Sequence, residues 1–174
     1  MPTVYDLLTG NDLRSIGKSN EVVQLVTSDP VLFNEVFDGI FHRDKVIRAR
    51  CADAVEKVGR KYPDYIQKKK AIILKNLSKF EQKEVRWHIA MILGYIKLTP
   101  KEIKLVNSYL FNWLEEEKSI IVKVMCMQTL ADIALKNKKM IKSVRDEIEK
   151  QMLTGAPAIK ARGRHLLADL DKIK

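Results

Sequence analysis

An aliphatic residue followed by a basic residue recurs four times along this chain at nearly constant spacing. The stretches that carry the pair are VIRARCADAVEKV (46–58), EVRWHIAMILGYI (84–96), IVKVMCMQTLADI (121–133) and AIKARGRHLLADL (158–170). Their basic residues are separated by 38, 37 and 37 positions. A constant period of this length over four copies indicates a repeat protein, in which each unit packs on the next.

Four positions in each stretch share one helical face. Counted from the basic residue, they are positions −1, +3, +7 and +10, which lie on one side of an α-helix because it turns by about 100° per residue. They are occupied by Ile47, Cys51, Val55 and Val58; by Val85, Ile89, Leu93 and Ile96; by Val122, Cys126, Leu130 and Ile133; and by Ile159, Gly163, Leu167 and Leu170. The pattern predicts four amphipathic helices that bury the same face.

A second amphipathic pattern precedes each of these helices, at 30–41, 63–77, 100–114 and 139–153. Asp29 before Pro30 predicts an N-cap, Thr99 with Glu102 predicts a capping box, and Gly155 predicts a C-cap. Four helical hairpins of one length bury their apolar faces only when they stack, so we expect an all-α solenoid. We expect an N-terminal capping segment over residues 1–28, then a repeat array over 29–174 with approximate repeats at 29–62, 63–98, 99–137 and 138–174.

The aliphatic–basic pairs make the chain resemble the HEAT-repeat group of the HEAT/armadillo superfamily. The pairs are Ile47-Arg48, Val85-Arg86, Val122-Lys123 and Ile159-Lys160, and small residues at Ala52, Ala54, Ala90 and Ala131 add to the likeness. Asp44 lies in the turn before Arg48, where that family often has an acidic residue.

The resemblance covers roughly residues 29–173. It implies a right-handed α-α superhelix of about four helical hairpins plus an N-terminal capping helix, with the second helix of each pair on the concave side. It also implies that the basic residue of each pair bonds turn acids or carbonyls of its own or the next repeat.

The chain has a formal net charge of +10 that is unevenly distributed. Residues 1–37 sum to −3, whereas residues 38–99 sum to +8. This basic excess suits an anionic partner, and a lysine-rich solvated helix surface is the alternative. The first ten residues lack the features of a secretion signal and no apolar run is long enough for a bilayer, so we expect a cytoplasmic protein with no membrane partner.

One group of residues around the second repeat is the candidate partner-binding groove. Only this repeat has a large ring, Trp87, at position +1, and Met91 and Tyr95 follow at one-turn intervals. Tryptophan, tyrosine, methionine and arginine are enriched at protein interfaces, although packing between repeats is the alternative for Trp87. We expect His88 to be a surface hydrogen-bonding residue rather than a catalytic one. The groove comprises Arg50, Arg86, Trp87, His88, Met91 and Tyr95.

A second group, on the last predicted helix, is a candidate anion patch. It comprises Lys160, Arg162, Arg164 and His165. Since the last helix of a solenoid needs a polar outer face, capping is the alternative explanation. Cys51 and Cys126 occupy an apolar position, so we expect packed thiols rather than metal ligands.

These observations favour a non-enzymatic scaffold that holds a protein or peptide in its concave groove. Nucleic-acid binding through a basic inner surface is the second hypothesis. A DNA-glycosylase-like enzyme is the third, because some alkylpurine DNA glycosylases are built on HEAT-like repeats. Such an enzyme needs an acid beside its aromatic residues, but Met91 occupies the position one turn after Trp87, and Asp53 occupies that position only in the first repeat. We expect no catalytic residue, no cofactor and no metal.

Overall fold

The computed structural model describes residues 3–173, and this part of the chain contains helices and no strand. The all-α class is therefore confirmed. Its ten α-helices are α1 (Val4–Leu8), α2 (Ser19–Ser28), α3 (Leu32–Asp38), α4 (Lys45–Lys61), α5 (Pro63–Lys75), α6 (Lys83–Tyr95), α7 (Pro100–Glu116), α8 (Ile120–Lys136), α9 (Ile141–Thr154) and α10 (Pro157–Asp171). Short 3-10 turns at Gly39–Phe41, Leu77–Lys79 and Lys138–Met140 adjoin three of them.

The four predicted helix pairs are present in the predicted order. They are α3 with α4, α5 with α6, α7 with α8, and α9 with α10, and each helix begins within two residues of its predicted start. The apolar periodicity located these helices because each predicted stretch covers three or more turns. The first stretch, 30–41, contains the seven-residue α3 followed by the 3-10 turn Gly39–Phe41.

The face predicted to be buried is buried in all four second helices. Every position of the four-residue sets is buried except Leu167, which is half-exposed. No helix follows α10 within residues 3–173, so nothing later in this part of the chain covers Leu167. A Cβ atom at Gly163 would overlap the side chain of Met152, so glycine at position +3 of the fourth repeat allows α9 and α10 to approach closely.

The predicted N-cap at Asp29 is wrong. Helix α3 begins at Leu32 with Val31 in the N-cap position and without a side-chain cap. The Asp29 carboxylate instead accepts a hydrogen bond of 3.1 Å from the Val31 amide, in a turn that lies before the helix. A short polar side chain before proline favours such a turn as much as a helix start.

The other predicted helix ends are confirmed. The Thr99 hydroxyl accepts a hydrogen bond from the Glu102 amide (3.3 Å), and the Glu102 carboxylate accepts one from the Thr99 amide (2.7 Å). Gly155 is the C-cap of α9, with an ordinary φ of −70°. Asp44, in the turn before Arg48, caps α4 by accepting a hydrogen bond of 2.7 Å from the Val46 amide.

The chain divides into two compact units, one up to Ile92 and one from Leu93 onward, so the division falls within α6. In the first unit, α1, α2 and α3 pack against α4. In the second unit, α7, α9 and α10 pack against α8. The division between a capping segment at residues 1–28 and a repeat array stays a prediction.

Candidate functional site

Two of the four repeated basic residues hold the turn that precedes their own helix. Arg48 donates a hydrogen bond of 2.7 Å to the His42 carbonyl, and Arg86 donates one of 2.8 Å to the Phe80 carbonyl. Each acceptor lies six residues before its arginine. Arg48 also donates to the Gln82 side chain at 2.9 Å, which ties α4 to the segment before α6. The expected role of binding turn carbonyls is confirmed for these two arginines.

The remaining two basic residues of the repeat differ from the arginines. Lys123 donates a hydrogen bond of 3.1 Å to the Gln151 side chain on α9, which belongs to the next hairpin. Lys160 is exposed on α10 and has no hydrogen-bond or ion-pair partner among residues 3–173. The repeated basic residue therefore has a structural role at Arg48, Arg86 and Lys123, whereas Lys160 projects into solvent.

Trp87 and Met91 are both half-exposed on α6 and lie one helical turn apart. We call this pair the Trp87 surface. The Trp87 indole Nε1 donates a hydrogen bond of 3.0 Å to Nε2 of His88, and the two ring centres are 5.3 Å apart. The indole is thus held by its chain neighbour while part of the ring remains accessible.

His88 is buried, with 8% of its surface exposed, so the expectation of a surface residue is wrong. Its Nδ1 lies 2.6 Å from the Glu84 carbonyl, and its Nε2 lies 3.4 Å from Oδ1 of Asp53 on α4. The position of His88 two residues after Arg86 puts it at the edge of the buried face, where it meets α4.

Asp53 is the centre of a buried polar cluster. Its Oδ2 accepts hydrogen bonds from the Ser19 hydroxyl at the start of α2 and from Lys57 (2.7 Å), which lies one turn later on α4. Burial by itself would raise the pKa of Asp53, but the hydrogen bonds from His88, Lys57 and Ser19 outweigh it and lower the pKa to about 2. Asp53 is therefore a carboxylate at neutral pH.

This cluster lacks the geometry of a nucleophile and its base. The Ser19 hydroxyl donates to Asp53, and Asp53 stands between Ser19 and His88, whereas a serine–histidine–aspartate triad needs histidine in the middle. A carboxylate with so low a pKa is also a poor general acid or base near neutral pH. The arrangement suits electrostatic and hydrogen-bonding roles better than covalent catalysis.

Arg50 lies beneath the N-terminal loop (residues 9–18) and does not line an open groove, contrary to expectation. It is only 7% exposed, and its guanidinium donates to backbone carbonyls at Leu8, Asp12 and Ser15, each at 3.2 Å, as well as to Thr9. A glycine with φ of +55°, Gly17, allows the loop to bend around the guanidinium, where a Cβ atom would come within 2.6 Å of it.

Sequence reasoning missed Ser19 and the pairing of Asp53 with His88. Ser19 is 34 residues from Asp53, so no local pattern connects them. A signal for the pair did exist. Asp53 and His88 both lie outside the helix face that we predicted to be buried. They belong to adjacent repeats, whose helices α4 and α6 would meet if the hairpins stack.

In the second unit, the structure keeps the four predicted anion-patch residues exposed on α10 but divides them between two flanks. Arg162 and His165 border a depression with an apolar floor formed by Val124, Ala158 and Ala161. Lys160 and Arg164 lie one turn apart on the other flank, because each is about 160° around the helix from Arg162. Tyr95, which we expected in the groove, is half-exposed at the end of α6 in this unit.

A carboxylate lies near Arg162. Arg162 donates a hydrogen bond of 2.9 Å to the Gln128 side chain, which itself donates to Asp132 at 2.9 Å. Burial raises the pKa of Asp132, against the opposing effects of Gln128, Lys136 and Arg162. The flank of Lys160 and Arg164 has no ion pair within residues 3–173 and is the more strongly cationic of the two.

Other reactive groups are buried or dispersed. Cys51 and Cys126 are buried, and burial raises the pKa of the Cys51 thiol to about 12, so it is protonated at neutral pH. Within residues 3–173 no group of three or more histidine, cysteine or acidic side chains is arranged to hold a metal ion. In the same part of the chain, every helix is too short or too polar to cross a membrane.

Comparisons with family models, with curated proteins and with solved structures found no match to this chain. The likeness to HEAT repeats therefore rests on the repeated residues alone and stays a prediction.

Proposed function

We propose that this chain is a non-enzymatic HEAT-like scaffold that binds a protein or peptide partner. In this proposal the four hairpins stack as a right-handed superhelix, and the second helices line its concave groove. The proposed compartment is the cytoplasm, where the two buried cysteines would remain free thiols.

The observation that carries the proposal is the half-exposed Trp87 surface. On the same helix, Ile89 and Ile92 are fully buried, whereas Trp87 and Met91 remain partly accessible. The accessible part of the Trp87 ring is available for contact with a partner. Tryptophan and methionine at such positions are typical anchors of protein interfaces.

The first test is affinity capture by the whole chain, followed by mass spectrometry, with and without nuclease treatment. The Trp87→Ala variant is expected to lose a partner that survives nuclease treatment. Ile72→Ala is the matched control, because Ile72 is an exposed apolar residue (42%) on α5, the first helix of the same hairpin. Equal capture by both variants and the parent chain would remove the proposal, provided that their circular dichroism spectra agree.

Nucleic-acid binding is the second candidate function, and the cationic flank of α10 favours it. A polyanion that contacts Lys160 and Arg164 would release counterions, so its affinity should fall steeply with salt. A mobility-shift series with duplex DNA and RNA tests this, using Lys160→Gln with Arg164→Gln. The control pair, Lys101→Gln with Lys104→Gln, removes the same charge from exposed positions on α7. Absence of a shift at low salt would eliminate this candidate.

A further inference from the structure

Three hydrogen-bonding groups surround the His88 ring, and their proton requirements conflict. Nδ1 lies 2.6 Å from the Glu84 carbonyl, while Nε2 lies 3.0 Å from the Trp87 indole Nε1 and 3.4 Å from Asp53 Oδ1. A carbonyl oxygen only accepts hydrogen bonds, so Nδ1 carries a proton in either charge state. The charge state of His88 is therefore decided at Nε2.

Nε2 cannot serve Trp87 and Asp53 at the same time. An indole nitrogen only donates and a carboxylate only accepts. When His88 is neutral, Nε2 has a lone pair that accepts the Trp87 N–H, and Asp53 receives no proton from the ring. When His88 is protonated, Nε2 donates to Asp53, and the Trp87 N–H has lost its acceptor.

The charged and polar groups around His88 in the first unit set the balance between these states. From α4, the Asp53 carboxylate favours the protonated ring, and Lys57, which is 2.7 Å from the other carboxylate oxygen, opposes it. From α2, Ser19 donates to Asp53, and Asn20 accepts a hydrogen bond of 2.8 Å from Lys57. On α6 itself, the buried Glu84 precedes His88 by one turn, with Lys83 3.8 Å from its carboxylate.

Asp53 remains available as a partner for the protonated ring across the whole range in which histidine side chains ordinarily titrate. The hydrogen bonds from Lys57 and Ser19, which also lower the pKa of Asp53, do not depend on the charge state of His88 and favour the ionised carboxylate throughout that range. Its Oδ2 is already bound by Ser19 and Lys57, so Oδ1 is the oxygen that faces His88. The carboxylate is therefore fixed in place before the proton arrives.

We propose that His88 is a proton-operated switch for the Trp87 surface. Uptake of one proton from solvent forms the Nε2–H bond, closes an ion pair between His88 and Asp53, and releases the indole from its hydrogen bond to His88. The released ring changes its orientation, so the Trp87 surface differs between mildly acidic and mildly alkaline solution. A further consequence is that partner binding varies with pH, and only this consequence rests on the proposed function.

The test is a nuclear magnetic resonance titration of the indole N–H signals between pH 8 and pH 5. The chain has two tryptophans, and a Trp113→Phe variant identifies the Trp87 signal. We expect that signal to move in one step, with the same midpoint as the His88 ring signals. The signal of Trp113, which is 3% exposed in the second unit, serves as the internal reference.

Variants of the three histidines make the assignment specific. In His88→Gln the side chain stays neutral and can still accept from the indole, so the Trp87 step should disappear. His42→Gln and His165→Gln should each retain it. An unmoved Trp87 signal in the parent chain, or a persistent step in His88→Gln, would overturn the proposal.

A second variant guards against misfolding of His88→Gln. Asp53→Asn keeps the shape of the side chain and removes the charge that favours the protonated ring, so the midpoint of the Trp87 step should move to lower pH. An unchanged midpoint would contradict the ion pair. Partner capture is measured separately. If the Trp87 signal titrates as expected but Trp87→Ala captures the same partners as the parent chain, the switch stands and the proposed function is refuted. If Trp87→Ala loses a partner but the Trp87 signal does not titrate, the switch alone is refuted.

Discussion

The stability contributed by the Asp53 carboxylate should disappear at acidic pH, and its size follows from the pKa. The value of about 2 lies below the ordinary 3.8, so the folded state favours the ionised form. Each pKa unit corresponds to about 1.4 kcal/mol, which gives about 2 kcal/mol. The side chain is only 12% exposed, so solvent screening reduces this figure little.

The sign of the effect defines the pH window. A depressed pKa stabilises the fold above the unfolded-state value and ceases to do so as pH falls through the folded-state value. The contribution is therefore complete above about pH 5, is reduced to about 1 kcal/mol at pH 3, and is small near pH 2.

The assay is urea-induced unfolding of the parent chain and of Asp53→Asn at several pH values between 7 and 3. The difference in free energy of unfolding between the two proteins should shrink by about 1 kcal/mol from pH 6 to pH 3. Asp146→Asn is the control, because Asp146 forms an exposed pair with Lys142 on α9, and exposed pairs contribute little to stability. A difference that stays constant with pH would refute the account of the Asp53 cluster.

Three further substitutions test the packing. Arg50→Lys should destabilise the chain by about 2 kcal/mol and make the N-terminal loop the first site of limited proteolysis. A loop that resists proteolysis in this variant would contradict the role of Arg50 in holding it. Leu130→Ala should lower the free energy of unfolding in urea by about 3 kcal/mol. Leu167→Ala should lower it clearly less, because Leu167 is half-exposed, so equal losses would argue against the burial described. Gly163→Ala should cost about 1 to 3 kcal/mol because of the overlap with Met152, and a neutral effect would show that α9 and α10 have room to separate.

The helices were predictable from the sequence because each is specified by residues within a few turns of one another. Ile89 and Leu130 are buried because of a period that can be counted along the chain. The capping box at Thr99 is similarly a short-range pattern of two residues. At Asp29, by contrast, a residue type that often caps a helix accepts a hydrogen bond from the Val31 amide in a turn, and α3 begins only at Leu32.

The polar interior was not predictable, because it depends on contacts between residues far apart in the chain. Arg50 was expected on an open surface, since nothing near it in sequence indicates the loop 35 to 42 residues earlier that covers it. His88 was likewise expected on the surface, since its burial requires Asp53 of the previous hairpin. Periodicity identifies which face of a helix is apolar, but not which polar edge another element will cover.

A series of interacting polar side chains leads from α2 to the Trp87 surface. Ser19 bonds Asp53, Asp53 faces His88, and His88 holds the Trp87 indole. Burying such groups stabilises a fold less than apolar packing would, but it fixes one relative position of the elements that carry them. Here it fixes the start of α2 against α4 and α6, and Arg50 fixes the preceding loop. The hydrogen bond that holds the Trp87 indole is therefore linked through His88 and Asp53 to Ser19, so a substitution of Ser19 should alter the Trp87 surface although Ser19 does not contact it.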